Sequence, residues 1–188
     1  VQFEAVQARH NSGFLCEPGN GTPCDFDPSE NLVVNGGFET PEVTSGPQWD
    51  IFDSVAGGWT VEWRGDIPAS FDPEGSVGPQ SRPNPAHLEL HEGVLGSAAE
   101  GDQYAELDSD WGGHADPQFT GEPASVTIYQ DIATVPGATY NLVYEWAARP
   151  NTVAGNNRIE VRMGGVVVDD TGTLADGNDG ITWFERSE

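Results

Sequence analysis

The segment His87-Leu88-Glu89-Leu90-His91 sets two imidazoles and a carboxylate at every second position. On an extended chain successive side chains point to opposite faces, so these three groups share one face and Leu88 and Leu90 the other. Imidazole nitrogens and carboxylate oxygens are donors that zinc, copper and iron accept, and Glu106 is a candidate fourth ligand. The same face also reads as a plain polar surface or a sugar contact. Gln103-Tyr104-Ala105-Glu106-Leu107-Asp108 alternates in the same way, with Ala105 and Leu107 expected toward the core and Tyr104, Glu106 and Asp108 away from it. If the two segments are neighbouring strands, one sheet carries a face of His, Glu, Tyr and Asp.

Sugars stack their apolar C–H faces on aromatic rings while carboxylates and amides take their hydroxyls. Trp63, Tyr104 and Trp111, together with His87, Glu89, His91 and Glu106, are therefore a candidate carbohydrate site. Trp59 and Trp146 are assigned to the core, because large aromatics fill sandwich interiors. Glu89 and Glu106 could also be imagined as a glycosidase pair, which needs carboxylates about 5 Å or about 6.5–9.5 Å apart, a distance that sequence spacing does not set. There is no Gly-x-Ser-x-Gly elbow, no serine beside a plausible base and no phosphate-cradling glycine loop leading into a helix. The expectation is a protein that is not an enzyme.

Thirty-one Asp and Glu stand against seven basic residues, all of them Arg, for a formal charge of −24 over 188 residues. Such a surface repels phosphate backbones and anionic headgroups, so nucleic-acid and electrostatic membrane binding are not expected. It attracts cations. Calcium takes six to eight oxygens, which acidic, Gly-rich loops provide. Asp108 and Asp110, beside Gly112-Gly113, are candidate metal ligands, as are Asp50 and Asp53; most of the remaining carboxylates read as solvated surface. No apolar run approaches the ~18–20 residues of a membrane span. The start, Val1-Gln2-Phe3, has neither Met nor a basic leader region, which reads as a mature or trimmed chain. Cys16 and Cys24, with seven residues between them in a polar loop, read as a small disulfide, with a half metal site as the competing reading. A disulfide implies an oxidising compartment, hence a secreted or cell-surface protein.

The elements that must position these groups are short. Asn31–Val34, Trp59–Trp63, His87–His91, Gln103–Asp108, Ser125–Ile132, Tyr140–Ala147, Arg158–Met163 and Val166–Asp169 each carry alternating apolar residues closed by Gly, Pro, Asn or Asp. No apolar pattern of helical period lasts three turns. The expected fold is an all-β, antiparallel sandwich over residues 31–188, preceded by an extension, residues 1–30, that holds the cysteines and at most one strand near Val1–Val6. Phe71–Pro85, rich in Pro and Gly, reads as a long surface loop.

Six segments occur in order along the chain: Asn31-Leu-Val-Val-Asn-Gly-Gly-Phe-Glu39, Gly58-Trp-Thr-Val61, Glu100-Gly-Asp-Gln-Tyr-Ala-Glu-Leu-Asp108, Tyr129-Gln-Asp-Ile132, Pro136-Gly-Ala-Thr-Tyr140 and Ala147-Ala-Arg-Pro150. Together they resemble a bacterial extracellular family with a galactose-binding-like jelly-roll β-sandwich, related to the plant cell-wall domain DUF642 and to calcium-binding carbohydrate-binding modules. The resemblance implies Glu39 as a calcium ligand, a glycan or cell-surface polysaccharide as partner, and a role in binding or adhesion. Members of the family end with two further strands, whereas this chain ends at Trp183-Phe-Glu-Arg-Ser-Glu188. That departure implies an open strand slot beside Val166, Val168 and Ile181. Omitted residues, Val1–Val6 or a strand from another copy could fill it, and the last option makes a homo-oligomer or filament the alternative function.

Overall fold

The computed structural model describes residues 2–7, 31–44, 46, 48–64, 70–71, 80–81, 83–110, 112, 125–172, 174–176 and 180–188. In chain order the strands are β1 (Gln2–Gln7), β2 (Trp49–Phe52), β3 (Thr60–Trp63), β4 (Ser70–Phe71), β5 (Gln80–Ser81), β6 (Leu88–His91) and β7 (Tyr104–Glu106). They continue as β8 (Val126–Tyr129), β9 (Asp131–Ile132), β10 (Val143–Trp146), β11 (Thr152–Asn157), β12 (Glu160–Met163), β13 (Val166–Asp170), β14 (Leu174–Asp176) and β15 (Phe184–Ser187). The described residues contain no helix, and none long and apolar enough to cross a membrane. The all-β class is as the alternating runs predict. Cys16, Cys24 and Trp111 lie outside the described residues.

The largest sheet runs β13-β12-β1-β8-β3, with β9 beside β1. Its β3–β8 and β12–β13 pairs are antiparallel, whereas β1 lies parallel to β8, β9 and β12. Residues 2–7, grouped with the extension by the sequence reading, thus form a strand inside this sheet. A second sheet, β2-β6-β7, is antiparallel, and β4–β5, β10–β15 and β11–β14 are antiparallel pairs.

One core joins the two larger sheets, as in a β-sandwich. Leu88 and Leu90 of β6 pack with Val126 and Ile128 of β8, and Val43, Val55 and Trp59 close the cluster. Alternation explains the selection: Val126, Ile128 and Gln130 are buried, while Thr127 and Tyr129 between them are half-exposed. Ala105 and Leu107 pack on the same core, as their spacing predicts.

Asn31–Val34, expected as a strand, leads into a turn. The Asn31 side chain accepts from Val33 N at 3.0 Å, and Asn35 takes a φ of 54°, so local hydrogen bonding overrides the β-prone Leu-Val-Val run. Gln130 supplies what a neighbouring strand would have given, accepting from Val34 N and donating to Val34 O at 3.0 and 2.8 Å. At the other end of the fold, β15 pairs with β10, and Phe184 lies 6.0 Å from the Trp146 ring. The Tyr144 hydroxyl donates to Asp169 at 2.5 Å, tying that pair to β13. Burial and this bond both push the Tyr144 phenol up from its ordinary value.

Arg158 forks onto Asp170 at 2.9 and 2.5 Å. The guanidinium, helped by Gly172 N, holds the Asp170 carboxyl down at about 2. Because the folded value lies below the ordinary ~3.9 of an unfolded Asp, the pair stabilises the fold above about pH 4 and that contribution fades as pH falls toward 2. A carboxyl-detected NMR titration is expected to place Asp170 near 2 in the native chain and closer to 3.9 in Arg158→Gln. An Asp170 midpoint unmoved by the substitution would show that Gly172 alone sets it.

Candidate functional site

The strands β2, β6 and β7 lie side by side, in a register that places Trp49 beside His91 and His91 beside Tyr104. The next row on the same face is Ile51, Glu89 and Glu106. Rings therefore align across three strands: Trp49 to His91 at 6.2 Å and His91 to Tyr104 at 5.4 Å, both stacked. Trp183 meets Tyr104 edge-on at 5.4 Å, and its indole N–H donates to Ser97 O at 2.9 Å. Trp49 and Trp183, at the two ends of the row, are half-buried.

The row of carboxylates converges on His91. Its Nε2 lies 2.5 Å from Glu89 Oε1 and 3.0 Å from Glu106 Oε2. The outer oxygens face the other way: Asp110 N donates to Glu89 Oε2 at 3.0 Å, and Arg149 Nη1 donates to Glu106 Oε1. Glu89, His91 and Tyr104 are buried, with His91 only 2% exposed. Burial pushes the Tyr104 phenol up, although Leu95 N donates to its oxygen.

The sequence placed His87, Glu89 and His91 on the outward face, away from Leu88 and Leu90. Glu89 and His91 do lie opposite those leucines, yet every residue of β6 is buried. On the far face Trp183 meets Tyr104 and Arg149 pairs with Glu106, contacts from residues remote in sequence and invisible to local periodicity. Of the proposed ligand set, Glu89, His91, Tyr104 and Glu106 come together; Trp49 and Trp183 are neighbours the spacing did not single out, and Arg149, a scarce cation in so acidic a chain, is paired with Glu106. His87 is apart from the cluster, 6.2 Å from the Trp63 ring. Trp63 is half-buried against the core and donates from Nε1 to Pro83 O at 2.8 Å, so it is not an open platform.

Glu39 works elsewhere. Its Oε1 accepts from Asp102 N and Gln103 N at 3.0 and 3.2 Å, clamping residues 38–41 to the turn before β7. Gly101 makes this approach possible: it sits at φ +69°, and a Cβ there would collide with the Glu39 carboxylate. Gln103 completes the clamp, donating to Phe38 O and Pro41 O at 2.7 and 2.9 Å. Asp108 bridges to Ser125, and Asp110 contributes its backbone to Glu89. Among the described residues, the group of three or more metal-capable side chains that converges is Glu89, His91 and Glu106; Glu39, Asp108 and Asp110 form no such group.

No family model matches the chain, and no curated protein or solved structure matches it either.

Proposed function

We propose that the chain is a secreted, non-catalytic carbohydrate-binding or adhesion domain of a bacterial surface. It is built on a galactose-binding-like jelly-roll sandwich and stabilised by calcium. The observation that carries this reading is the aromatic row across β2, β6 and β7, whose half-exposed ends, Trp49 and Trp183, offer ring faces to sugar C–H groups. The acidic surface supports a neutral polyhydroxylated partner over an anionic one. A glycosidase pair needs an open floor for the sugar ring, whereas His91 Nε2 sits between Glu89 and Glu106. That arrangement supports binding over catalysis.

Retention on a broad panel of immobilised polysaccharides, with and without millimolar calcium, tests the reading. Trp183→Ala and Trp49→Ala are expected to weaken retention at least tenfold while the fold persists, as for a contact aromatic. A native protein that binds no glycan in either condition would end the proposal. A second reading, assembly by strand exchange between copies, is favoured by the β13 edge, where Val166 and Val167 are 66% and 46% exposed. Sedimentation over a wide concentration range separates the two, since only the second requires oligomers.

A further inference from the structure

We propose that Glu89, His91 and Glu106 bind one divalent transition-metal ion of the zinc class. The inference does not rest on glycan binding, because such an ion would brace β6 against β7 with or without a sugar. Three donors, one aromatic nitrogen and two carboxylates, present ligand atoms that all lie within 4.8 Å of one another. Their hydrogen bonding is incomplete without a cation. Nε2 carries at most one hydrogen, yet it faces Glu89 Oε1 at 2.5 Å and Glu106 Oε2 at 3.0 Å. Glu106 Oε2 is buried and receives no hydrogen bond, a state that costs a carboxylate oxygen its hydration without replacement. Protonating His91 does not repair this. The added proton goes to Nδ1, which carries an N–H in the metal-bound form as well, so Nε2 still offers one hydrogen to two carboxylates. A cation between the three atoms satisfies every inward-facing lone pair at once.

The outer oxygens give an independent sign. Each carboxylate turns one oxygen toward His91 and has the other held by a protein donor, Asp110 N for Glu89 and the Arg149 guanidinium for Glu106. Metal-ligating carboxylates are oriented by hydrogen bonds of this kind. The donor set selects the ion class: calcium takes six to eight oxygens at about 2.3–2.6 Å, while zinc takes nitrogen and oxygen at about 2.0–2.2 Å with four ligands. Three protein ligands leave the fourth position to water.

The test uses the full chain, stripped with chelator and held in millimolar calcium, so that any calcium site is already filled. Zinc is then titrated against a chromophoric competitor, and cobalt(II) is added separately for its visible spectrum. One ion per chain is expected, with cobalt bands of a low-coordinate nitrogen-oxygen site. His91→Asn and Glu106→Gln are expected to weaken zinc at least tenfold, His87→Asn to leave it unchanged, and Arg149→Gln to weaken it roughly tenfold through Glu106 orientation. Should the two ligand variants fail to fold, the Arg149→Gln shift and the wild-type cobalt spectrum decide. Absence of stoichiometric binding by the native chain overturns the proposal, as does equal affinity in folded variants, which would assign the metal to surface carboxylates.

Discussion

His91→Ala, measured by urea unfolding in chelator, is expected to cost about 3–5 kcal/mol, the loss that follows when one partner of a buried charged cluster is removed. The ring fills the space between Trp49 and Tyr104, and its Nε2 faces carboxylate oxygens of both Glu89 and Glu106. Without it, two buried carboxylates face each other, with Arg149 still paired to Glu106. A double variant, His91→Leu with Glu89→Leu, is expected to be more stable than His91→Ala alone, since it replaces a broken buried pair by apolar volume. A loss below about 1 kcal/mol for His91→Ala would mean that water reaches the cluster and screens it.

Leu90→Ala is expected to cost about 2–5 kcal/mol through lost transfer energy and the cavity left behind. Leu90 is fully buried in the central strand of β2-β6-β7, in the cluster shared with Val126 and Ile128 of β8, so no flexible neighbour stands ready to collapse into the gap. Against a total of about 5–15 kcal/mol this is a large fraction, and the urea midpoint should fall with the slope unchanged. Val166→Ala, at the exposed end of β13, is the contrast, expected within about 0.5 kcal/mol of the native chain. Equal effects at the two positions would place the core elsewhere.

Much of the framework is readable from alternation. Trp59–Trp63, His87–His91, Gln103–Asp108, Tyr140–Ala147 and Arg158–Met163 each contain an observed strand, Val166–Asp169 covers all but the last residue of β13, and the long Ser125–Ile132 run splits at Gln130 into β8 and β9. What alternation could not supply was partner identity. The strand β2 hides in Trp49-Asp50-Ile51-Phe52, where Asp50 interrupts the apolar side and accepts from Ile51 N at 2.8 Å. The strand β15, Phe184-Glu185-Arg186-Ser187, has one apolar residue in four and depends on pairing with β10. The same division holds at the site. Residue types and spacing brought Glu89, His91 and Glu106 forward as metal-capable groups, and neighbouring strands deliver them together. Their burial was not legible, because it depends on Arg149 and Trp183, whose approach to β6 and β7 is set by tertiary packing and leaves no local periodic trace.

The position of β1 bears on how the molecule is made. Phe3 pairs with Ile128 on one side and Val161 on the other, so β1 waits for partners that a ribosome delivers only after β2 to β7 and, for Val161, after β11 as well. Closing so long a loop is slow, because its entropy must be lost before any contact repays it. Until then the ladder groups of β1 that face β8 and β12 stand open. The nascent chain is therefore exposed to mispairing along β1 throughout that interval.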